Sequence, residues 1–273
     1  MDQYGRSIPH KLRTEKDMEL LSGKVIFLTG GSMGIGLECA KSYAKEGAIV
    51  VIAAFPAGPI AAAIELLGSK HLGISCDVSD AAQVANAIQK TLDKYGKIDA
   101  IHNNAGIASP SKPLHETSDE EWNQLMNINL KSVLLTTRYG FKALQKSKGC
   151  ILNTSSLVGD IGQENHAAYT ATKGGMNALT KSMALDYAKD KIRVNAVMPA
   201  GVWTPMLREW SKEQPNASSI EKYLDDIHPL GYCPDGDAIA DACVFLISDK
   251  ARFITGTTLA VSGGAELGYR RSE

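Results

Sequence analysis

A tyrosine and a lysine stand four residues apart in the stretch AAYTATKGG, which runs from residue 167 to residue 175. Residues at this spacing share one face of an α-helix, so a helix here would bring the Lys173 ammonium beside the Tyr169 phenol. The pair is either an ordinary contact on a helix surface, which contributes little, or a device that makes the phenol a usable acid or base near neutral pH. The spacing alone does not decide, because Tyr-x-x-x-Lys is common by chance.

The second interpretation has a physical basis in the charge of the lysine. A free tyrosine has a pKa of about 10, which makes it a poor base at neutral pH. An ammonium about 4 Å away, at an effective dielectric constant of about 20, favours the phenolate by ~4 kcal/mol, or ~3 pKa units. We therefore expect the pKa of Tyr169 to lie near ~7, where general acid–base catalysis works best.

The segments around this pair alternate between short apolar strands and helices. Short strands that are continuously apolar are typical of a parallel sheet that helices cover on both faces. The predicted fold is an α/β single-domain Rossmann fold, a doubly wound parallel sheet of about seven strands. Strands are expected at 24–30, 48–54, 71–78, 97–106, 149–156, 192–199 and 257–264, and helices from the glycines to 46 and at 81–96, 118–128, 129–147, 169–189 and 237–248.

The same pattern predicts the domain organisation. Residues 1–21 lack apolar periodicity and are expected to form an N-terminal arm. Residues 22–273 are expected to form a single folded domain, in which the segment at about 205–233 is expected to be a lid, since loops often close over a bound ligand.

A glycine-rich segment, TGGSMGIG, follows the first predicted strand. Gly30, Gly34 and Gly36 have the spacing G-x-x-x-G-x-G. Missing β-carbons let the backbone turn tightly and let a pyrophosphate approach, and the following helix offers it free N–H groups. A plain strand-to-helix turn is the alternative, but the position in the first βαβ unit favours dinucleotide binding.

Neither common nicotinamide cofactor has its usual signature. An NAD site has an acid at the end of the second strand for the ribose hydroxyls, but this chain has Ala53-Ala54-Phe55 there. The glycine segment carries Met33 in place of a basic residue. Asp77, after the third strand, either binds the adenine amino group or caps the next helix. NAD and NADP both stay open, with NAD slightly favoured.

Composition excludes several classes of protein. The 273 residues carry a net charge of −1 without a block of like charge, so neither nucleic acid nor an anionic membrane is an expected partner. The five cysteines are scattered and include no C-x-x-C, which predicts thiols in a reducing compartment and no metal site. No signal peptide is recognisable, and prolines and a glycine interrupt the charge-free stretch 47–64, so a cytoplasmic protein is expected.

Several segments together resemble the classical short-chain dehydrogenase/reductase family. They are TGGSMGIG, NNAG at 103–106, NINL with Asn129, ILNTSS with Ser156, YTATK, and PAGVWTP at 199–205. Each is weak alone, but all of them stand in the family's order and spacing from about Ser22 onward. The resemblance implies an NAD(P)-dependent oxidoreductase that moves a hydride between the nicotinamide ring and a secondary alcohol or carbonyl.

The resemblance also implies a role for each matching residue. Tyr169 would be the acid–base group, and Lys173 would also hydrogen-bond the nicotinamide ribose. Ser156 lies thirteen residues before Tyr169, the family spacing, so it matches the substrate-positioning serine better than Ser155. Asn129 matches the asparagine that kinks its helix and holds a proton-relay water.

Further positions are implied to surround the cofactor. Asn103 and Gly106 match a turn that stabilises the sheet, and Thr204 matches the threonine that binds the carboxamide. One position departs, because the family's Pro-Gly is Pro199-Ala200 here, with glycine displaced to 201. The implied cofactor-binding set is Gly30, Ser32, Met33, Gly34, Ile35, Gly36, Asp77, Val78, Asn104, Ala105, Gly106, Tyr169, Lys173, Pro199, Val202 and Thr204.

Three stretches resemble one branch of the family more closely. SSLVGDIGQ (155–163), WTP (203–205) and GGAELGY (263–269) look like the branch of L-fucose (aldose) dehydrogenases and type 14 17-beta-hydroxysteroid dehydrogenase. The favoured substrate is therefore an aldose such as L-fucose, oxidised to its lactone. A hydroxysteroid or small ketone is the alternative.

The residues before the tyrosine bear on the substrate. Gln163, Glu164, Asn165 and His166 would lie near the pocket mouth, and Trp203 would add an apolar face. Polar groups with an aromatic ring suit a sugar, while a solvated loop and a packing tryptophan are the alternative interpretation. Gln163, His166 and Trp203 are the expected substrate contacts.

Other function classes and the assembly complete the expectations. A dinucleotide-binding regulator without turnover is a second class, against which the intact Asn129, Ser156, Tyr169 and Lys173 argue. An extended-branch epimerase would need more than the roughly 30 residues between the sixth strand and the last helix. The resemblance implies a homotetramer in which helices around 129–147 and 168–189 pack across an interface between subunits. Glu266 and Tyr269 of the tail are expected to reach a neighbouring subunit.

Overall fold

The computed structural model describes residues 19–213 and 217–268. Seven strands form one sheet in the order β3-β2-β1-β4-β5-β6-β7, and every neighbouring pair is parallel. The order reverses between β1 and β4, which is where ligands bind in such sheets. The strands are β1 Val25–Thr29, β2 Ile49–Ala54, β3 Leu72–Ser75, β4 Ala100–Asn103, β5 Cys150–Thr154, β6 Arg193–Pro199 and β7 Thr258–Val261.

Helices cover both faces of this sheet, as the apolar strands predict. In β1, Ile26 and Leu28 pack into a core with α1, α2 and α9, while Val25 and Phe27 pack into a second core with α3, α5 and α6. The α-helices are α1 Gly34–Lys45, α2 Gly58–Leu67, α3 Ala81–Tyr95, α4 Asp119–Leu125, α5 Ser132–Ser147, α6 Ala167–Tyr187, α7 Pro205–Glu213, α8 Ala217–Asp226 and α9 Gly236–Ile247. The prediction of a doubly wound α/β fold is confirmed.

Three details differ from the sequence prediction. Leu21, assigned to the arm, is fully buried in the first core, and its N–H donates to the Glu46 carbonyl at 3.0 Å; residues 1–18 lie outside the described part of the chain. The predicted lid at 205–233 contains two helices, α7 and α8. A π-helix, Met126–Lys131, separates α4 from α5.

All five cysteines are buried free thiols. None of the helices in the described ranges combines the length and the apolar character that crossing a membrane requires.

Candidate active site

The glycine turn between β1 and α1 is built without room for side chains. Gly30 and Gly34 have positive φ angles of 67° and 55°. A β-carbon on Gly36 would lie 2.1 Å from the Gly30 carbonyl oxygen. Met33 occupies the N-cap of α1 but offers no side-chain cap to the first-turn N–H groups. This cradle of free amides at a helix N-terminus fits the pyrophosphate of a dinucleotide.

The turn after β4 holds the glycine turn in place. The Asn104 side-chain amide donates to the carbonyl oxygens of Thr29 at 3.2 Å and Gly30 at 3.1 Å. The backbone N–H groups of Asn104 and Ala105 donate to Thr29 Oγ1 at 3.0 and 3.1 Å. The two segments therefore meet at the switch point of the sheet.

Helix α6 presents Tyr169 and Lys173 on one face. The Lys173 side chain is buried, and its Nζ lies 5.6 Å from the centre of the Tyr169 ring. Nζ donates to the Thr154 carbonyl oxygen at 2.8 Å. A β-carbon on Gly106 would lie 3.7 Å from the same Nζ, so the lysine reaches the turn after β4 and keeps further N–H groups for a ligand.

The pKa of the phenol moves in the direction opposite to the sequence expectation. Burial raises the pKa of Tyr169, and a hydrogen bond with Ser156 opposes that rise. Burial also lowers the pKa of Lys173 to about 8. The Coulomb argument from spacing omitted desolvation, which disfavours both charged forms, and it did not foresee that the ammonium points at a carbonyl.

Of the two adjacent serines, Ser156 faces the phenol. The Ser156 side chain lowers the pKa of Tyr169, and its hydroxyl accepts from the Val158 N–H at 3.4 Å. The Ser155 hydroxyl is buried and donates to the Lys173 carbonyl oxygen in α6 at 3.1 Å. The choice of Ser156 by spacing agrees with this arrangement.

Asn129 lies within the π-helix and is fully buried. Its Oδ1 accepts from the Ile107 N–H at 2.9 Å, and its Nδ2 donates to the Ile107 carbonyl at 2.9 Å and to Thr172 Oγ1 at 3.1 Å. The side chain thereby ties the irregular helix to the segment after β4 and to the residue beside Lys173.

The segment after β6 also faces the glycine turn. A β-carbon on Gly34 would lie 3.4 Å from the Thr204 methyl, and the Thr204 hydroxyl accepts from the Leu207 N–H at 3.2 Å to start α7. Pro199 ends β6, and Val202 is buried. The displaced Gly201 packs on His228, since a β-carbon there would approach its Cε1 to 3.1 Å.

Asp77 and Val78 follow β3, where the sequence predicted the adenosine end of the cofactor. Asp77 does not cap the next helix, because Asp80 accepts from the Ala82 and Gln83 N–H groups at 2.8 and 3.1 Å. Asp77 Oδ1 instead accepts from the backbone N–H and the hydroxyl of Ser79 at 2.9 and 2.7 Å. Val78 beside it is buried. The Asp77 carboxylate therefore closes a local turn with Ser79, and the adenine contact stays a prediction.

The glycine turn and the end of β2 complete the cofactor positions. Ser32 is buried within the turn, and Met33 is 48% exposed. Ile35 follows in the first turn of α1 and packs against the first core. Phe55 is 69% exposed at the end of β2.

The expected substrate residues divide into two groups. His166 lies beside the catalytic pair, with its ring centre 6.4 Å from that of Tyr169, and its Nε2 is 2.6 Å from Ser111 Oγ. Gln163 lies in the exposed loop before it. Trp203 has the Arg208 guanidinium 4.8 Å from its ring centre, so part of the expected apolar face is covered. Sequence reasoning missed Ser111, which is 55 residues from its partner His166, and Arg208 of α7, which lies in the segment that the sequence predicts only as a lid.

Comparison with known proteins agrees with this geometry. The family model described as Enoyl-(Acyl carrier protein) reductase matches residues 30–266. An L-fucose dehydrogenase of Bos taurus is 39% identical over 251 residues, covering 92% of each chain. The structure of Thermoplasma acidophilum aldohexose dehydrogenase superposes with a TM-score of 0.85 at 32% identity, over 93% of this chain and 98% of that one.

A further solved structure bears on the cofactor. The 3-ketoacyl-(acyl-carrier-protein) reductase of Brucella melitensis, solved in complex with NADH, superposes with a TM-score of 0.82 at 33% identity, over 90% of this chain and 99% of that one. Family, fold and site geometry point the same way: this chain belongs to the short-chain dehydrogenase/reductase family and is an NAD(P)-dependent oxidoreductase.

Proposed function

We propose that this enzyme oxidises the ring carbinol of an aldose, such as L-fucose, to the lactone, with the cofactor bound at the glycine turn. The observation that carries the chemistry is the placement of Tyr169, which lies close enough to Ser156 for the serine to lower its pKa and whose ring centre is 5.6 Å from the Lys173 ammonium. The sugar substrate is supported by the names of the relatives, by the polar His166 beside the Tyr169 ring, and by the Ser111 hydroxyl that hydrogen-bonds His166.

Each side chain then has a defined task. Ser156 and Tyr169 hold the hydroxyl of the substrate, and the Tyr169 oxygen takes its proton as the carbon–hydrogen bond breaks. The bound nicotinamide supplies the acceptor for the hydride. Lys173 stabilises negative charge on the phenol oxygen and, through its remaining N–H groups, holds the ribose. Asn129 keeps the π-helix in register and supports a water beside Lys173.

NAD is the proposed cofactor. Neither Met33 in the glycine turn nor Ala54 and Phe55 at the end of β2 supplies a cation for the 2′-phosphate of NADP, whose binding takes an arginine in sites of this fold. We expect a higher kcat/KM with NAD, and Met33→Arg should shift the ratio toward NADP. A native preference for NADP would refute this part of the proposal.

The substrate is tested by a panel. Purified enzyme is assayed for formation of reduced cofactor with aldoses, hydroxysteroids and simple cyclic alcohols, and the product is identified by mass spectrometry. Oxidation of an aldose to its lactone supports the proposal. Activity confined to a steroid or simple alcohol replaces the sugar with that substrate, and cofactor binding without turnover of any compound favours the regulatory alternative.

We also propose a homotetramer that works in the reducing cytoplasm. Leu134 on α5 is 50% exposed and Leu185 on α6 is 81% exposed, on the two helices that the resemblance assigns to an interface. The Glu266 carboxylate accepts a hydrogen bond from the Ser262 hydroxyl of its own chain. Tyr269 lies outside the described residues. Light scattering should give four chains, and Leu185→Glu should reduce that number. A monomeric wild-type protein would refute the proposal.

The helices α7 and α8 form the proposed lid. Arg208 on α7 lies 3.7 Å from the Asp235 carboxylate, beyond the far end of the segment. Movement of this segment would be detected as a change in amide hydrogen exchange when cofactor and substrate bind.

A further inference from the structure

A chain of hydrogen bonds crosses the first core and ends at the glycine turn. Tyr43 of α1 and His102 of β4 are both fully buried. The Tyr43 hydroxyl lies 2.9 Å from His102 Nδ1, and His102 Nε2 lies 2.9 Å from Thr154 Oγ1. Thr154 Oγ1 in turn lies 3.3 Å from Asn104 Oδ1. These polar groups lie in a part of the first core that is otherwise apolar.

The direction of each hydrogen bond can be deduced by starting from Asn104, the last residue of the chain. The Asn104 amide nitrogen faces two carbonyl oxygens, those of Thr29 and Gly30, so its Oδ1 must accept from the Thr154 hydroxyl. Because the Thr154 hydroxyl has a single proton and donates it to Asn104, its oxygen accepts a hydrogen bond from Nε2–H of His102. His102 Nδ1 is then the acceptor for the Tyr43 O–H. Burial lowers the pKa of His102 to about 3, which keeps the ring neutral, as this arrangement requires.

Two thiols lie at the start of the chain. Cys39 of α1 and Cys243 of α9 are buried next to Tyr43. Together with His102 they offer ligand atoms within 4.8 Å of one another, so the fold brings together a group that the sequence spacing concealed. Both ring nitrogens of His102 already have hydrogen-bond partners, however, and a metal ion would have to displace one of them.

We infer that Tyr43 and His102 are positioning residues for the glycine turn, acting through Thr154 and Asn104. This inference rests on the proposed cofactor site at that turn. Thr154 is the branch point, since its hydroxyl orients Asn104 while its carbonyl accepts from Lys173 Nζ. The chain therefore connects α1, which begins at the glycine turn, to the two segments that face the cofactor and the catalytic lysine.

The test is the dissociation constant for NADH, measured by fluorescence titration. His102→Leu removes the donor to Thr154 and should raise the constant about tenfold, the size of one lost buried hydrogen bond. His102→Gln should restore it to within about threefold, because its amide offers an acceptor and a donor. Tyr43→Phe should have a smaller effect, since His102 can still donate to Thr154.

A matched control separates positioning from simple destabilisation. Asn195 is buried in β6; its Nδ2 donates to the Ile254 carbonyl oxygen at 2.9 Å and its Oδ1 accepts from the Thr257 N–H at 3.2 Å, outside the glycine turn and the turn after β4. Asn195→Leu should lower the melting temperature as His102→Leu does, while the NADH constant stays within about twofold of wild type.

Each outcome decides the inference. An unchanged NADH constant in His102→Leu, or an equal rise in Asn195→Leu, overturns it. If the leucine variant does not fold, an NADH constant of Tyr43→Phe equal to that of wild type overturns it instead. About one equivalent of zinc in the purified protein, lost in Cys39→Ser, would overturn the chain as described, because a metal ion on His102 displaces one of its two hydrogen-bond partners. If wild-type protein fails to bind NADH, the proposed cofactor site itself is wrong.

Discussion

The Lys173 ammonium lies 5.6 Å from the centre of the Tyr169 ring and donates to the Thr154 carbonyl oxygen at 2.8 Å. Lys173 is buried and Tyr169 is half-buried; burial raises the pKa of Tyr169 and lowers that of Lys173 to about 8. The protein alone therefore favours the neutral phenol, while the lysine stays mostly protonated at neutral pH but loses its proton more readily than a free lysine. This relationship leads to three of the following predictions.

The first prediction concerns the phenol hydroxyl itself. Tyr169→Phe should lower turnover by at least about 10²–10⁴-fold, the usual contribution of a general acid or base. The NADH dissociation constant should stay within about twofold, because the ring and Lys173 remain. Tyr187→Phe, on the same helix and packed on Phe141, is the matched control. Near-normal turnover in Tyr169→Phe would remove this tyrosine from the mechanism.

The second prediction concerns the adjacent serines. Alcohol oxidation needs the phenolate, and the Ser156 hydrogen bond lowers the pKa of Tyr169 against the effect of burial. The oxidation rate should therefore rise with pH, and Ser156→Ala should move that rise to higher pH. Ser155→Ala, which removes a bond to the Lys173 backbone carbonyl, should leave the profile in place. Initial rates across a pH series measure both, and coincident profiles for all three proteins would contradict the assignment.

The third prediction concerns the stability cost of the buried lysine. The folded-state pKa of Lys173 is lowered from 10.5 to about 8, so between these values the unfolded chain binds more protons and stability rises with pH. Wild type should gain up to ~3 kcal/mol relative to Lys173→Met between about pH 8 and about pH 10.5. Urea unfolding of both proteins at about pH 7 and about pH 10 measures this difference. A constant difference would show that the lysine is not desolvated as described.

Much of the fold and of the candidate site could be predicted from the sequence, because it depends on periodic patterns or on residues that are close in the chain. All five residues of β1 are buried, which is why an unbroken apolar run predicted a strand covered on both faces. The glycine turn and Ser156 follow β1 and β5 directly, so the fold brings them to one edge of the sheet. Tyr169 and Lys173 share a face of α6 because they are four residues apart, whereas Asn129 is assigned by resemblance to the family. Residues that are close in sequence or that start an element could therefore be assigned before the structure was known.

The rest depends on contacts between distant segments. Tyr43 and His102 are 59 residues apart, and His102 and Thr154 are 52 apart, so no spacing pattern links them. The direction of the Tyr169 pKa shift follows from burial, which a sequence does not measure. The segment 205–233 gave only a mixed pattern because its helices α7 and α8 are short and polar. Leu21 is held at the core by the hydrogen bond from its N–H to the Glu46 carbonyl oxygen, a contact that no local pattern shows.

The last prediction concerns the packing of the glycine turn. A β-carbon on Gly36 would lie 2.1 Å from the Gly30 carbonyl oxygen and 2.5 Å from Asn104 Nδ2. These two atoms form the hydrogen bond that joins the glycine turn to the turn after β4, so Gly36→Ala must push Gly30 and Asn104 apart and break that bond. The NADH constant should rise at least about tenfold, as expected for 1–3 kcal/mol of lost interaction. Gly162→Ala is the control, since a β-carbon there meets no atom of the described residues within 4 Å. It should bind NADH like wild type, and equal binding by both variants would show that the cofactor does not use this turn.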